Sequence, residues 1–268
     1  MIENIYKDYG YDDVLLGFPC LFENGINIYP IKIKDWKRFQ RYIQYLILSK
    51  EHYGIKEDEP FIQNMIKNVI KILNNGKYPT DKNIEEQYLL YITKEMCDMF
   101  SMIFHEEKVF FKYNNGYCFI SKDGEVLIDE NNFNEFREIV LKQNRLFEPI
   151  IYKSKLKKKW AEKVKRGKEK GNNNISFNEI LNIVRSGLQI SYSEVSNMNI
   201  LQLYVDFRRL SNTKEFEAVT MLKTTYGMPW DKLPNIQYQS PILEDILKNP
   251  ELDYFKDFDG QGLMEMMK

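Results

Sequence analysis

The chain has 268 residues, of which 43% are hydrophobic, 14% aromatic and 29% charged. This composition is typical of a folded globular protein and excludes a wholly disordered chain. The 38 basic and 39 acidic side chains give a net charge of −1, which disfavours a protein that coats duplex DNA with its whole surface, because such proteins are strongly basic.

Residues 1–150 predict an α+β domain that begins with strands. Residues 14–18 and 26–33 are strand-like, and Glu23-Asn24-Gly25 supplies a turn between them. Asp35 is the predicted N-cap of a helix whose apolar residues recur at helical spacing from Trp36 to Ile47. Two further helices are predicted over 59–74 and 83–105, and the second is apolar over a wide arc, as expected of a buried helix.

A β-hairpin is predicted next. Residues 109–113 and 117–120 flank Asn114-Asn115-Gly116, in which Gly116 supplies a positive φ, and residues 125–128 extend the sheet after Asp123-Gly124. A helix capped by Asp129 or Asn131 then runs to about Asn144. The N-terminal domain therefore combines helices with a small antiparallel sheet.

A basic segment follows at 151–174 and is predicted to be a helical linker. Residues 153–170 carry ten Lys or Arg and two Glu, a local charge of +8. Charge of this density stays in water or pairs with an acidic partner. Leu156, Trp160 and Val164 are spaced at i, i+4 and i+8, which predicts one apolar line along the helix.

Residues 175–234 predict a small all-α domain, and residues 235–268 an acidic tail. Ser176 and Glu179 form a capping box at the start of the first helix. A longer helix begins near Ile200 and is expected to be interrupted at Asn212-Thr213. Flexible apolar side chains in the tail suit adaptable docking onto another protein; they are Leu263, Met264, Met266 and Met267.

Motifs of catalysis and cofactor binding are missing from the sequence. His52 and His105 belong to no metal-ligand spacing, and no G-x-S-x-G, P-loop or GxGxxG pattern occurs. Asp257 and Asp259 beside Gly260 could ligate a metal, but the oxygen ligands of an EF-hand do not follow. We therefore expect a protein that is not an enzyme and has no catalytic, metal or cofactor residues.

The cysteines and the N-terminus bear on location. Cys20, Cys97 and Cys118 lie far apart without a CxxC pair, which predicts neither disulfides nor zinc and favours a reducing compartment. The acidic N-terminus lacks the apolar run of a signal peptide, and no segment is long enough to span a membrane. A cytoplasmic protein with no membrane partner is expected.

Three strings of residues lie in the first half of the chain and in the region 176–230. The first is Gly17-Phe18-Pro19 with Ile28-Tyr29-Pro30-Ile31-Lys32-Ile33-Lys34-Asp35. The others are Asn132-Phe133-x-x-Phe136-Arg137-Glu138-Ile139-Val140-x-x-Gln143-Asn144 and Met198-Asn199-Ile200-x-Gln202-Leu203-Tyr204. Together they resemble tail proteins of phages and prophages of low-GC bacteria, described as tail assembly chaperones or tail-module proteins.

The resemblance implies a role in tail morphogenesis in the bacterial host cell, with a place in the virion left open. Proteins of this group bind the helical tape-measure protein and keep it soluble until tail-tube subunits polymerise around it. The family has no motif that defines the client site. From the residues themselves, the candidate partner-binding positions are the tail residues above and the basic side chains of the linker, among them Lys157, Lys158, Lys159, Lys163 and Arg166.

Two other functions remain open from the sequence. One is a nucleic-acid-binding protein that uses the basic 153–170 segment, although a single Trp among lysines is not the repeated aromatic platform that single strands prefer. The other is a metal-dependent nuclease built on Asp257 and Asp259.

Overall fold

The computed structural model describes residues 9–113, 116–152, 154–171, 175–226, 246, 247 and 249. The fold is α+β, as predicted, with many helices and small antiparallel sheets of two and three strands. The chain forms two compact units. The first contains the described residues up to Pro149 together with Ser196–Leu201, and the second contains Ile150–Val195 and the described residues from Gln202 onwards.

The first element is a helix, α1 (Tyr11–Leu16), so the strand predicted at 14–18 is wrong. The Asp13 carboxylate accepts the backbone N–H of Gly10 at 2.7 Å. At the other end Gly17 adopts the left-handed conformation, with φ of 77°, and closes the helix. These end contacts outweigh the β propensity of the apolar residues between them.

The second predicted strand shrinks to two residues. β1 (Cys20–Leu21) pairs antiparallel with β2 (Asn27–Ile28) across the 3₁₀ turn Glu23–Gly25. Beyond β2 the N–H of Tyr29 donates to Ile103 at 3.0 Å, and Pro30 has no N–H to give a ladder. The strand therefore ends at Ile28.

The helix predicted from Asp35 to Ile47 is also different in the structure. α2 (Ile33–Phe39) begins after the N-cap Lys32, so Asp35 lies within its first turn. The helix ends at Phe39, and a 3₁₀ turn at Ile43–Tyr45 carries the later apolar residues inward.

The next helices confirm the predictions to within two residues. After the short helix α3 (Lys50–Tyr53), α4 (Phe61–Leu73) and α5 (Lys82–Phe104) pack against each other. Pro60, at the N-cap of α4, has no side-chain acceptor. The Glu130 carboxylate takes that role, accepting the N–H of Ile62 at 2.7 Å and that of Gln63 at 3.0 Å.

The predicted hairpin is confirmed as the sheet β3–β4–β5. β3 (Phe110–Tyr113) pairs antiparallel with β4 (Tyr117–Ile120), which pairs antiparallel with β5 (Val126–Ile128). α6 (Phe133–Gln143) follows, with Asn132 at its N-cap. The predicted caps, Asp129 and Asn131, are therefore wrong by three residues and one residue. Phenylalanine rings of α5, β4 and α6 form the core, with centroids as close as 4.5 Å between Phe100 and Phe119.

A short stretch from much later in the chain completes the first unit. Within Ser196–Leu201, the Asn199 side-chain amide donates to the Val14 carbonyl at 2.5 Å, and the N–H of Ile33 donates to the Met198 carbonyl at 2.9 Å. The Asn199 side chain is fully enclosed. Residues 196–201 are therefore an integral part of the N-terminal fold.

The second unit is helical in its described part. It contains α7 (Lys155–Gly171), α8 (Phe177–Leu188), the helix α9 (Tyr192–Asn197) up to Val195, and α10 (Ile200–Tyr226) from Gln202. The predicted capping box is confirmed: Ser176 Oγ accepts the N–H of Glu179 at 3.2 Å, and the Glu179 carboxylate accepts the N–H of Ser176 at 2.7 Å.

The interruption predicted at Asn212-Thr213 is wrong, because α10 is continuous through both residues. Thr213 Oγ1 donates to the Arg209 carbonyl at 3.0 Å, one turn back, which satisfies its hydroxyl inside the helix. Asn212 is buried. No helix among the described residues is long and apolar enough to cross a membrane.

Candidate functional site

The predicted basic residues lie on α7, which has one apolar and one charged side. Ala161 is buried, and Trp160 and Val164 are half-buried, whereas Leu156 is largely exposed. The predicted apolar line therefore holds for Trp160 and Val164 but not for Leu156, and Ala161 takes the most enclosed position.

The other side of α7 presents cations to solvent. At about 100° per residue, the solvent-facing arc covers about 160° of the helix circumference. It carries exposed Lys155, Lys158, Lys159, Lys163, Lys165 and Arg166, with Glu162 as the acidic residue among them. Lys157 is also exposed, but at about 100° per residue it lies on the apolar side, between Val164 and Ala161. The structure thus gathers four of the five predicted basic positions on one face.

The tail residues proposed for partner binding lie outside the described residues. These are Leu263, Met264, Met266 and Met267, and the same holds for Asp257, Asp259 and Gly260. Their predicted roles stay predictions.

A groove that the sequence did not reveal lies between α5 and β3 in the first unit. It has a volume of about 650 Å³. One stripe of α5 forms the floor, with Leu90, Thr93, Cys97, Ser101 and Met102, and the β3 edge forms a wall with Phe110 and Phe111.

Two large apolar side chains at this groove are exposed. Leu90 is 71% exposed and Phe110 is 38% exposed. Leu90 belongs to the wide apolar arc from which the sequence predicted a buried helix over 83–105, and at this position the prediction is wrong. A single exposed leucine is ordinary, but Leu90 and Phe110 on one concave surface form an apolar patch that a partner could cover.

The middle of the groove contains a cysteine of low reactivity. Burial raises the pKa of the Cys97 thiol to about 11. Cys97 is therefore a packing residue with little thiolate at neutral pH. Arg38 lies 3.9 Å from Asp98 at the rim, and both side chains are about half exposed.

The two histidines occupy structural positions. Nδ1 of His52 lies 2.7 Å from Ser49 Oγ and accepts the N–H of Ser49, while Nε2 donates to the Pro149 carbonyl at 2.7 Å. This arrangement caps α3 rather than activating the Ser49 hydroxyl, since the same ring nitrogen also serves the helix cap.

His105 closes the C-terminal end of α5 in the left-handed conformation, with φ of 56°, and its ring stacks on Tyr29 at 3.9 Å between centroids. Partial burial, followed by the charge of Lys32, lowers its pKa. Across the described ranges no three His, Cys, Asp or Glu side chains converge as a metal site would require.

Comparisons with known proteins add no family to this geometry: no family model matches the chain, and neither a curated protein nor a solved structure is significantly similar to it.

Proposed function

We propose that this protein is a non-enzymatic assembly factor of a phage tail, which binds an apolar helical face of the tape-measure protein before the tail tube forms around it. The observation that carries the proposal is the groove between α5 and β3. Tail-tube subunits are the further partners that the resemblance implies, and the cytoplasm of the bacterial host is where the protein would act.

The shape of the groove suits a helix. From Leu90 to Met102 the floor follows thirteen residues of α5, a rise of about 18 Å at 1.5 Å per residue. Its central floor residues, Thr93, Cys97 and Ser101, are small and leave room for a partner backbone. An amphipathic helix that docks in a groove inserts apolar side chains spaced at i, i+3 or i+4, and i+7 over a similar length.

The rim of the groove provides charges for a soluble partner. Lys94 and Lys108 contribute positive charge, and Glu106 and Glu107 lie near the C-terminal end of α5. Mixed charges around an apolar centre are typical of interfaces that form and dissociate. Such a surface supports temporary binding, as an assembly factor requires.

Exposed apolar residues of the second unit offer additional contacts. They occur on α7, α8, α9 and α10 and in the adjoining loops, and they are Ile151, Leu156, Ile175, Ile183, Leu188, Tyr192, Met221, Leu222 and Tyr226. Each can add apolar area to a complex with a long helical client.

The experiment is co-expression with the tape-measure protein encoded by the same phage or prophage, followed by affinity capture. The wild-type chain is expected to keep the client in the soluble fraction. Leu90→Asp should reduce capture at least tenfold, because it places a charge on the apolar floor. The matched control is Ile72→Asp: Ile72 is 68% exposed on α4 and does not line the groove.

Equal loss of capture in both variants, or none in either, would refute the role of the groove. A truncation lacking residues 239–268 tests the tail separately. We expect weaker capture, because Met and Leu side chains fit varied apolar surfaces, and the truncation removes Leu263, Met264, Met266 and Met267. Unchanged capture would remove the tail from the proposal.

A further inference from the structure

We propose that the charged face of α7 is a binding surface for the phosphate backbone of duplex nucleic acid. This face comprises Lys155, Lys158, Lys159, Lys163, Lys165 and Arg166. This surface is separate from the groove between α5 and β3, so binding of nucleic acid here does not depend on the function proposed for the groove.

The separation of the two sides of α7 is the first reason. On the other side of the helix Ala161 is buried and Trp160 and Val164 are half-buried, whereas Leu156 and Lys157 stay exposed. The six cations lie opposite the packed residues on one face that runs from Lys155 to Arg166, about 17 Å at 1.5 Å per residue.

The cost of concentrating these charges is the second reason. Lys155, Lys159 and Lys163 follow one another at i, i+4 and i+8, and each like-charge pair destabilises a helix by about 0.2–0.5 kcal/mol. Between residues 155 and 166, Glu162 is the acidic residue on the arc. Lys155, Lys158, Lys159, Lys165 and Arg166 form no ion pair with any part of the chain that the structure describes.

The nature of the ligand follows from charge complementarity. Residues 153–170 carry a charge of +8 in a chain with a net charge of −1, so the attraction to a polyanion is local. A phosphate backbone presents one negative charge per about 1.7 Å of duplex axis, which matches a long cationic face better than isolated carboxylates do. The major groove of a duplex also admits a helix.

Duplexes are favoured over single strands by the absence of aromatic side chains from this face. Single-strand binding proteins stack successive bases on exposed aromatic rings. The aromatic residue of α7, Trp160, lies on the half-buried side, away from the arc of cations.

The test measures fluorescence anisotropy of the full-length chain with a labelled 20-base-pair DNA duplex between 50 and 200 mM salt. If about four to six cations contact phosphates, the affinity should fall about 10²–10³-fold over this range. A variant with all six residues of the face changed to Gln should lose at least tenfold in affinity at 50 mM salt and most of the salt dependence.

The matched control changes six exposed lysines of the first unit to Gln, with the same change in net charge. They are Lys37, Lys56, Lys67, Lys71, Lys77 and Lys82. This variant should bind the duplex within about threefold of wild type. Because Gln has a helix propensity close to that of Lys, α7 should stay folded, and circular dichroism checks this.

Three results would overturn the proposal. The first is an equal loss of affinity in both six-residue variants, which would mean that net charge alone decides binding. The second is duplex binding that does not depend on salt, or no binding at 50 mM salt. The third is binding of poly-glutamate of equal charge as tight as that of the duplex, which would assign the face to acidic proteins.

Discussion

The ion pair between Arg137 and Glu148 leads to a prediction in which the two partners are unequal. The Arg137 side chain is 1% exposed; its Nε donates to the Leu48 carbonyl at 3.1 Å, and its Nη2 donates to the Glu148 carboxylate. The Glu148 side chain is 38% exposed. The cation is therefore enclosed, whereas the anion reaches water.

Removing the anion should cost more than removing the cation. Glu148→Ala leaves a buried guanidinium without its carboxylate, and breaking such a pair costs about 3–5 kcal/mol. Because Glu148 is partly exposed, we expect a loss near the lower limit, about 3 kcal/mol. Arg137→Met fills the space with an apolar chain and lets Glu148 turn to water. The remaining cost is the unpaired Leu48 carbonyl, about 1–2 kcal/mol.

Urea unfolding at pH 7 measures these free energies. Trp36 is buried in the first unit, and in a background of Trp160→Phe and Trp230→Phe it is the sole tryptophan of the chain. The double variant Arg137→Met with Glu148→Ala should be about as stable as Arg137→Met alone. If Arg137→Met proves the more destabilising single variant, or if the two single losses add in the double variant, the reasoning is refuted.

Three further predictions concern packing, capping and pH. A Cβ at Gly187 would lie 2.6 Å from a Leu210 methyl, so Gly187→Ala should destabilise the wild type by about 1 kcal/mol in thermal melts. In a Leu210→Ala background the same change should stabilise the protein, because only the higher helix propensity of Ala then acts. A loss of stability in both backgrounds would contradict this prediction. Glu130→Ala should cost about 1–2 kcal/mol in urea unfolding, as expected of a lost helix cap; no change would mean that water replaces the carboxylate. The pKa of His105 is lowered in the folded protein. The stability that neutral His105 contributes is therefore complete above its ordinary pKa of 6.5 and is lost as the pH falls below 6.5. Between pH 7.5 and 5 the melting temperature of His105→Gln should fall less than that of wild type, and equal falls would exclude His105 as the cause.

The elements that could be predicted are those with strong local signals. α4 and α5 repeat apolar residues at helical spacing over many turns, and Gly116 in the hairpin adopts a positive φ of 154°. The strand at 14–18 could not be excluded, because a short apolar run fits a strand and a helix equally well. The contacts of Asp13 and Gly17 at the two ends of α1 favour the helix over the strand.

The groove and the buried cation were beyond sequence reasoning for a different reason. Leu90 belongs to an apolar arc of α5, and nothing local indicates that β3 stops short of covering it. From its local sequence, an arginine such as Arg137 is expected on a solvated helix face. In the fold, it is enclosed and bonds to the Leu48 carbonyl and the Glu148 carboxylate, which come from other parts of the chain. The charged face of α7 was visible in advance, because it depends on composition and helical spacing alone.

The hydrogen bond from Asn199 to Val14 has a consequence for biosynthesis. During translation the N-terminal unit lacks the contacts of residues 196–201 until the ribosome has released residue 201. By that time α7, α8 and α9 have already emerged. A fragment ending at Pro149 would lack the Asn199–Val14 hydrogen bond and the hydrogen bond between Ile33 and Met198. Truncation at this boundary between the two units should therefore yield an incomplete fold. A circularly permuted chain that places residues 196–201 next to α1 offers a better route to an isolated first unit.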